Sequence, residues 1–214
     1  MNKVKWFAIM VGVMIWAVAG CASNADTTAE RNSGQTAANN DVSALNWQVP
    51  FFTYTNQDGE TFGFQDLKGK IWLTDFIFTR CPNICPPMTA NMLKIQNALK
   101  QAGMEAEIVS FSVDPEYDQP EKLKEFAKNY GADLNSWHFV TGYSFEEIQK
   151  LVKDTFKGAV SRQEGPSPDV PVLVNHPSQF YLVDQNGKVV KFYDGLRPDA
   201  GQIVNDIKVL QEGK

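Results

Sequence analysis

Basic residues do not outnumber acidic ones in this chain: 20 Lys and Arg face 25 Asp and Glu, for a formal net charge of −5. Removing the first 20 residues takes away Lys3 and Lys5 and no acid, leaving 18 against 25, or −7. An acidic chain has no electrostatic footprint for nucleic acid, and no polybasic face with which to hold a membrane. Long apolar runs are also missing. The uncharged run near the N-terminus, Trp6 to Gly20, has fifteen residues, short of the roughly 20 that a spanning helix needs. No internal repeat is present, so the chain is not a repeat array. Histidine and cysteine are scarce, with two of the former and three of the latter. What is present is a hydrophobic fraction of 43% and an aromatic fraction of 12% in 214 residues, enough for one folded domain with accessory segments.

The N-terminus reads as a targeting segment. Lys3 and Lys5 precede the apolar run, and small residues lead up to Cys21, the order of a secretory signal peptide. Val18-Ala19-Gly20-Cys21 resembles the bacterial lipobox, in which the cysteine becomes the lipidated first residue of the mature protein. The expectation is a signal peptide at 1–20 and lipidation at Cys21, with an uncleaved anchor helix as the alternative. Either places the domain on the extracytoplasmic side of the cell membrane. Residues 22–46 are rich in Ala, Asn, Ser and Thr, too polar to bury a core, and read as a flexible tether. The folded domain is expected at 47–214.

From Trp47 onward, punctuation divides the chain. Val49 to Phe64 reads as a hairpin turning at Asn56-Gln57-Asp58-Gly59. Ile71 to Phe78 is a buried-strand run, followed by a cysteine loop and a helix from Met88 to about Gln101. Further strands are expected at Glu107–Val113, Trp137–Val140, Gln179–Val183 and Lys188–Tyr193, and helices at Pro120–Tyr130, Phe145–Phe156 and Ile203–Leu210. Residues 161–172, SRQEGPSPDVPV, show no period and read as a Pro-rich surface loop. A strand–cysteine–helix unit followed at the end by a hairpin and a helix resembles the thioredoxin fold. The fold class is therefore α/β: a thioredoxin-like (peroxiredoxin-like) mixed sheet flanked by helices, with an N-terminal β-hairpin extension.

If Cys21 carries lipid, Cys81 and Cys85 remain as a pair for a disulfide, a redox couple or a metal site. They lie between a strand end and a helix start, where free N–H groups and the helix dipole favour anionic sulfur. Their C-x-x-x-C spacing is one residue wider than the C-x-x-C of thioredoxin-type oxidoreductases, so the two sulfurs can close a disulfide or bracket a metal. His176 stands before Pro177 in a segment similar to the loop that carries the cis-proline beside the cysteines of thioredoxin-like folds. That likeness brings its imidazole to the sulfurs. A cis bond at Pro177 would cost only about 0.5–1 kcal/mol. Two thiolates and one imidazole form a soft, three-coordinate set that suits copper, whereas zinc wants a fourth side chain or an open water site. His138, among apolar neighbours in Trp137-His138-Phe139-Val140, reads as structural.

The segments Asp75–Pro86, Ser110-Phe111-Ser112-Val113-Asp114-Pro115, Trp137-His138-Phe139-Val140-Thr141-Gly142, and His176 with Phe180-Tyr181-Leu182-Val183 together resemble the Sco/SenC family, from residue 47 to the C-terminus. The resemblance implies a membrane-anchored, thioredoxin-like domain that binds copper through Cys81, Cys85 and His176. It implies a metallochaperone that assists assembly of the CuA centre of cytochrome c oxidase, with the copper-bearing oxidase subunit or another copper chaperone as partner. The alternative within the family is a thiol–disulfide reductase that keeps the cysteines of that centre reduced, with Cys81 and Cys85 as the redox-active pair. Asp75 matches an acidic position of the family. It is either an electrostatic partner behind the ligands or a strand-end carboxylate satisfied by backbone donors. The chain departs from many relatives in the proline after His176.

Overall fold

The computed structural model describes residues 40–168 and 170–213; the expected signal peptide, Cys21 and the tether before Asn40 lie outside them. The chain joins the fold earlier than Trp47. The Asn40 carbonyl accepts the Phe192 N–H at 3.1 Å, the Val42 N–H donates to Val190 at 2.9 Å, and Val42 is buried. One apolar side chain thus pins residues 40–46, whose composition reads as tether, against the strand at Val190–Phe192.

A 3-10 turn at Ser43–Leu45 leads into β1 (Trp47–Gln48) and then the expected hairpin, β2 (Thr53–Asn56) and β3 (Thr61–Gly63). A single helical turn, α1 (Phe64–Leu67), precedes β4 (Trp72–Ile77). Then follow α2 (Cys85–Gln101), β5 (Glu107–Ser112), α3 (Pro120–Tyr130), β6 (Trp137–Thr141) and α4 (Phe145–Phe156). The chain closes with β7 (Ser161–Ser167), β8 (Val170–Asn175), β9 (Gln179–Val183), β10 (Lys188–Asp194) and α5 (Ala200–Glu212). Local chemistry accounts for the sharp boundaries. Pro120 opens α3, and Gly131 closes it in the left-handed conformation. Ser144 and Glu147 form a reciprocal capping box at the start of α4.

Eight strands make one sheet in the order β1-β10-β9-β4-β5-β6-β2-β3. β4, β5 and β6 run parallel, while β9 and β10 add antiparallel strands on one side and the β2–β3 hairpin extends the other. Every residue of β4 is buried, as a central strand covered on both faces requires. This is the mixed thioredoxin-like sheet expected from the sequence, with its parallel strand ends and the start of β9 meeting at one end.

The segment read as a Pro-rich loop is instead a two-stranded ribbon. Arg162 pairs with Val174, Gln163 with Leu173 and Glu164 with Val172 before the register shifts toward the tip. Two-stranded edges tolerate proline. Pro166 lies where the register breaks, and a Cβ at Gly165 would come within 1.7 Å of the Val170 carbonyl, so only glycine fits that crossing. The ribbon forms its own sheet and buries no full face, which is why no alternation marks it in the sequence.

A candidate metal centre at the end of the sheet

The cysteine loop follows β4 and is held from both sides. Thr79 donates its hydroxyl to Asp118 at 2.6 Å and its N–H to the same carboxylate, which also accepts from Ser112. Arg80 donates to Asp114 at 2.7 Å, with its guanidinium over the Tyr117 ring at 4.1 Å. The loop then turns into α2. Of the residues that open this helix, Pro86 and Pro87 have no N–H, and no side chain of the Ile84 cap accepts a bond. The Cys85 N–H points to Cys81 Sγ at 3.4 Å. Sulfur therefore stands where a capping oxygen would stand in an ordinary helix. The helix begins at Cys85 rather than Met88 because two consecutive prolines fit its first turn.

His176 arrives from the opposite side, between the end of β8 and the start of β9. Its Nε2 lies 3.3 Å from Cys85 Sγ. Nδ1 lies 3.0 Å from the Pro177 carbonyl oxygen. That oxygen can only accept, so Nδ1 carries a hydrogen and donates it there, which leaves Nε2 directed at the sulfurs. Phe78 packs edge-on against the imidazole, with centroids 6.0 Å apart. The ligand atoms of Cys81, Cys85 and His176 all lie within 4.8 Å of one another, and both cysteines are free thiols. The His176–Pro177 bond is trans, as are all peptide bonds among the described residues. The imidazole thus reaches the sulfurs without the cis bond.

The two sulfurs differ. Cys81 is half-buried and Cys85 fully buried. The Cys85 thiol beside it holds Cys81 down to about 4, helped by His176 and by the N–H groups of Cys85 and Asn83, against the opposing effect of burial. Burial, and then the neighbouring Cys81 charge, push Cys85 well above the ordinary thiol range. At neutral pH the pair is one thiolate and one thiol.

Asp75 lies on β4 beneath this arrangement and is fully buried. Its Oδ1 accepts the Ser110 hydroxyl at 2.6 Å, and that hydroxyl in turn accepts the Trp137 indole N–H. Its Oδ2 is buried without a hydrogen-bond partner. Burial is the main cause that raises it to about 6. The folded state then binds the proton more tightly than the unfolded chain. The resulting stability is full below pH 4, is lost as pH rises toward 6 and stays lost at pH 7. The rise from the usual 3.8 to about 6 corresponds to about 2–3 kcal/mol. Asp75→Asn is expected to recover about 2 kcal/mol of this at pH 7 and to flatten the pH profile. Urea unfolding of the reduced, metal-free protein between pH 3.5 and 7 checks this; an unchanged slope in the variant would overturn it. His138 lies elsewhere, stacked on Phe62 at 4.3 Å and 3.1 Å from Glu107, in keeping with a structural role.

Sequence reading missed one part of the site. Asp114, with its side chain 1% exposed, takes Arg80 on one oxygen and Arg162 on the other at 2.8 Å. Arg162 also pairs with Glu116 and lies over the Phe145 ring. One carboxylate thus clasps the cysteine loop to the ribbon that leads to His176. The Asp114-Pro115 motif marked the position, but Arg162 fell in the segment read as a loop. Beside His176 a cleft of about 410 Å³ is lined by Trp47, Phe156, Tyr181 and Phe192. A larger cleft of about 580 Å³, bordered by Lys70, Glu107, Asp133 and Gln211, opens at the other end of the sheet, away from the sulfurs.

A model of the SCO1/SenC family matches residues 42–212. A SCO1/SenC family lipoprotein from Bacillus anthracis str. Ames superimposes with a TM-score of 0.72 at 46% identity, over 78% of this chain and 96% of that one. BsSco, a member of the Sco family of cytochrome c oxidase assembly proteins in which a disulfide switch was identified, gives 0.71 at 43% identity, over 79% and 96%. Yeast Sco1 with copper bound gives 0.63 at 27% identity, over 75% and 88%. With nearly the whole described fold inside the family match, the chain belongs to the Sco/SenC family.

Proposed function

We propose that Cys81, Cys85 and His176 bind one copper ion, and that the protein is a metallochaperone assisting assembly of the CuA centre of cytochrome c oxidase. The observation that carries this reading is the convergence of two sulfurs and one imidazole nitrogen within 4.8 Å. The set is soft and three-coordinate, which suits copper(I), and an added weak ligand would let it hold copper(II). Copper bound to yeast Sco1 and the oxidase-assembly role of BsSco support it. We further propose that a signal peptide at 1–20 is removed, that lipid on Cys21 anchors the chain, and that residues 21–39 serve as its tether on the extracytoplasmic side. The lipoprotein from Bacillus anthracis supports the anchor. Among the described residues no helix is long and apolar enough to cross a membrane.

The test is an anaerobic copper(I) titration of the reduced protein. One equivalent is expected to bind, and copper(II) is expected to give a sulfur-to-copper charge-transfer band. A titration without a stoichiometric end point would overturn the reading. Proton release adds a second readout. Cys81 is already a thiolate at neutral pH and Cys85 is not, so binding displaces about one proton per copper, and affinity rises about tenfold per pH unit near neutrality. Release of two protons, or none, in a weakly buffered calorimetric titration would contradict the asymmetry of the pair.

A second reading is a thiol–disulfide reductase. The half-buried Cys81 thiolate, with Cys85 behind it, and the disulfide switch of BsSco favour it. Turnover of an oxidised partner would then need both cysteines and survive loss of His176. The two roles are linked, because closing the disulfide takes two electrons from the dithiol, accepted by two copper(II) ions or by a partner's disulfide, and the disulfide cannot hold copper through thiolates.

A further inference from the structure

Two segments meet beside the His176 imidazole: the turn that ends α4 and the link between β8 and β9. α4 closes on Lys157 in the left-handed conformation, with φ 56°. Helices commonly place glycine at that position, and a lysine there is uncommon. The glycine of this turn stands one residue later, at Gly158, where the backbone is not left-handed. Its missing side chain therefore serves space and not conformation.

Pro177 fills that space. A Cβ at Gly158 would lie 2.4 Å from Pro177 Cγ and 3.1 Å from Val152 Cγ1, and the first is far inside the roughly 3.5–4.0 Å at which carbon atoms rest. Neither segment has room to retreat. The N–H groups of Lys157 and Gly158 both donate to the Val152 carbonyl, the second at 3.2 Å. Gln149 Nε2 donates to the Val160 carbonyl at 2.8 Å, and Val160 is buried. On the facing segment Asn175 pairs with Ser161, and the Ser178 carbonyl accepts the Gly195 N–H at 2.8 Å. The ring between them is buried and cannot swing aside as a flexible chain end would. Its own carbonyl is the oxygen that takes His176 Nδ1 at 3.0 Å.

We propose that Gly158 is a positioning residue for His176. Bare backbone at 158 seats the Pro177 ring, and the Pro177 carbonyl in turn aims Nε2 at Cys85 Sγ. A methyl group at 158 displaces the ring and carries the carbonyl and the imidazole with it. The turn of α4 thus fixes the histidine by steric contact, where the Asp114 clasp fixes its ribbon by charge. The effect on the imidazole stands by itself, while the effect on metal affinity rests on the copper reading above.

Three variants of the reduced protein test this: Gly158→Ala, Pro177→Ala and the two combined. Nitrogen-edited NMR of the metal-free protein follows the hydrogen on His176 Nδ1, and chelator competition measures copper(I) affinity. The wild-type signal is expected to be protected from water, and Gly158→Ala is expected to lose it. Affinity should fall about tenfold with it, the low end for groups that hold a ligand in place. Pro177→Ala removes Cγ and leaves Cβ 3.5 Å from the new methyl, an ordinary contact. The double variant is therefore expected to match Pro177→Ala alone in both readouts. An unprotected signal in the wild type would overturn the proposal. So would a Gly158→Ala protein that keeps the signal, or one that loses it and binds copper as tightly as before. If Gly158→Ala does not fold, the double variant decides. A double variant that is impaired or unfolded where Pro177→Ala alone is not would show that Gly158 acts through something other than Pro177. Should no form bind copper, the copper reading falls, and the Nδ1 signal still judges the positioning.

Discussion

Replacing His176 with alanine is expected to lower copper affinity by on the order of 100-fold or more, since even the groups that hold a ligand in place are worth 10–100-fold. The imidazole is the single non-sulfur donor of the set, with Nε2 3.3 Å from Cys85 Sγ. Its orientation is fixed in advance by the bond from Nδ1 to the Pro177 carbonyl, so little ordering cost is met when copper arrives. Removing the ring leaves a two-sulfur site open on the side of β8. The cysteines themselves stay in place, because the Cys85 N–H bond to Cys81 and the Asp118 and Asp114 contacts of the loop do not involve His176. The variant should therefore lose copper in competition with a copper(I) chelator and still show two titratable thiols. Full retention of affinity would sink the three-ligand assignment.

Asp114→Ala is expected to act on the same site from a distance. The change removes the anion shared by Arg80 and Arg162. Breaking a buried ion pair from one side costs about 3–5 kcal/mol. The two arginine side chains are 26% and 25% exposed, so water can take up part of their charge, and about 3 kcal/mol is the expected loss. Affinity for copper should fall as well, roughly tenfold, because the cysteine loop and the ribbon before His176 lose their common anchor. Urea unfolding and chelator competition measure the two effects separately. A variant with wild-type affinity would show that the loop and the histidine hold their separation without the clasp.

The parts legible in the sequence are those that carry their own punctuation or a full apolar face. α3 and α4 could be bounded to the residue because Pro120, Gly131 and the Ser144–Glu147 box mark their ends. β4 stood out as an apolar run because both of its faces are buried. The ribbon of β7 and β8 did not, since it buries neither face fully and holds proline near its tip. Asn40 to Leu45 read as tether because only Val42 among them is buried. At the site, the cysteine spacing pointed to a sulfur pair, while His176 needed the fold to cross a gap of 91 residues. The Arg80–Asp114–Arg162 clasp joins charges 34 and 48 residues apart. No periodicity links such positions, so surface charges and clasp charges look alike until the chain is folded.

The two prolines at the start of α2 carry a consequence of their own. A typical helix offers several free amides at its N-terminus, and a change at one leaves the others to water or a side chain. Here Pro86 and Pro87 remove that reserve and leave the Cys85 N–H directed at one sulfur. Whatever happens to Cys81 is therefore also a change in how this helix is terminated. Drawing the sulfur's electrons into a metal bond or a disulfide weakens the acceptor for that amide. Unwinding of the first turn then becomes a local report on the sulfur's chemical state, and amide exchange at Cys85 should register the state of the centre without any probe attached to it.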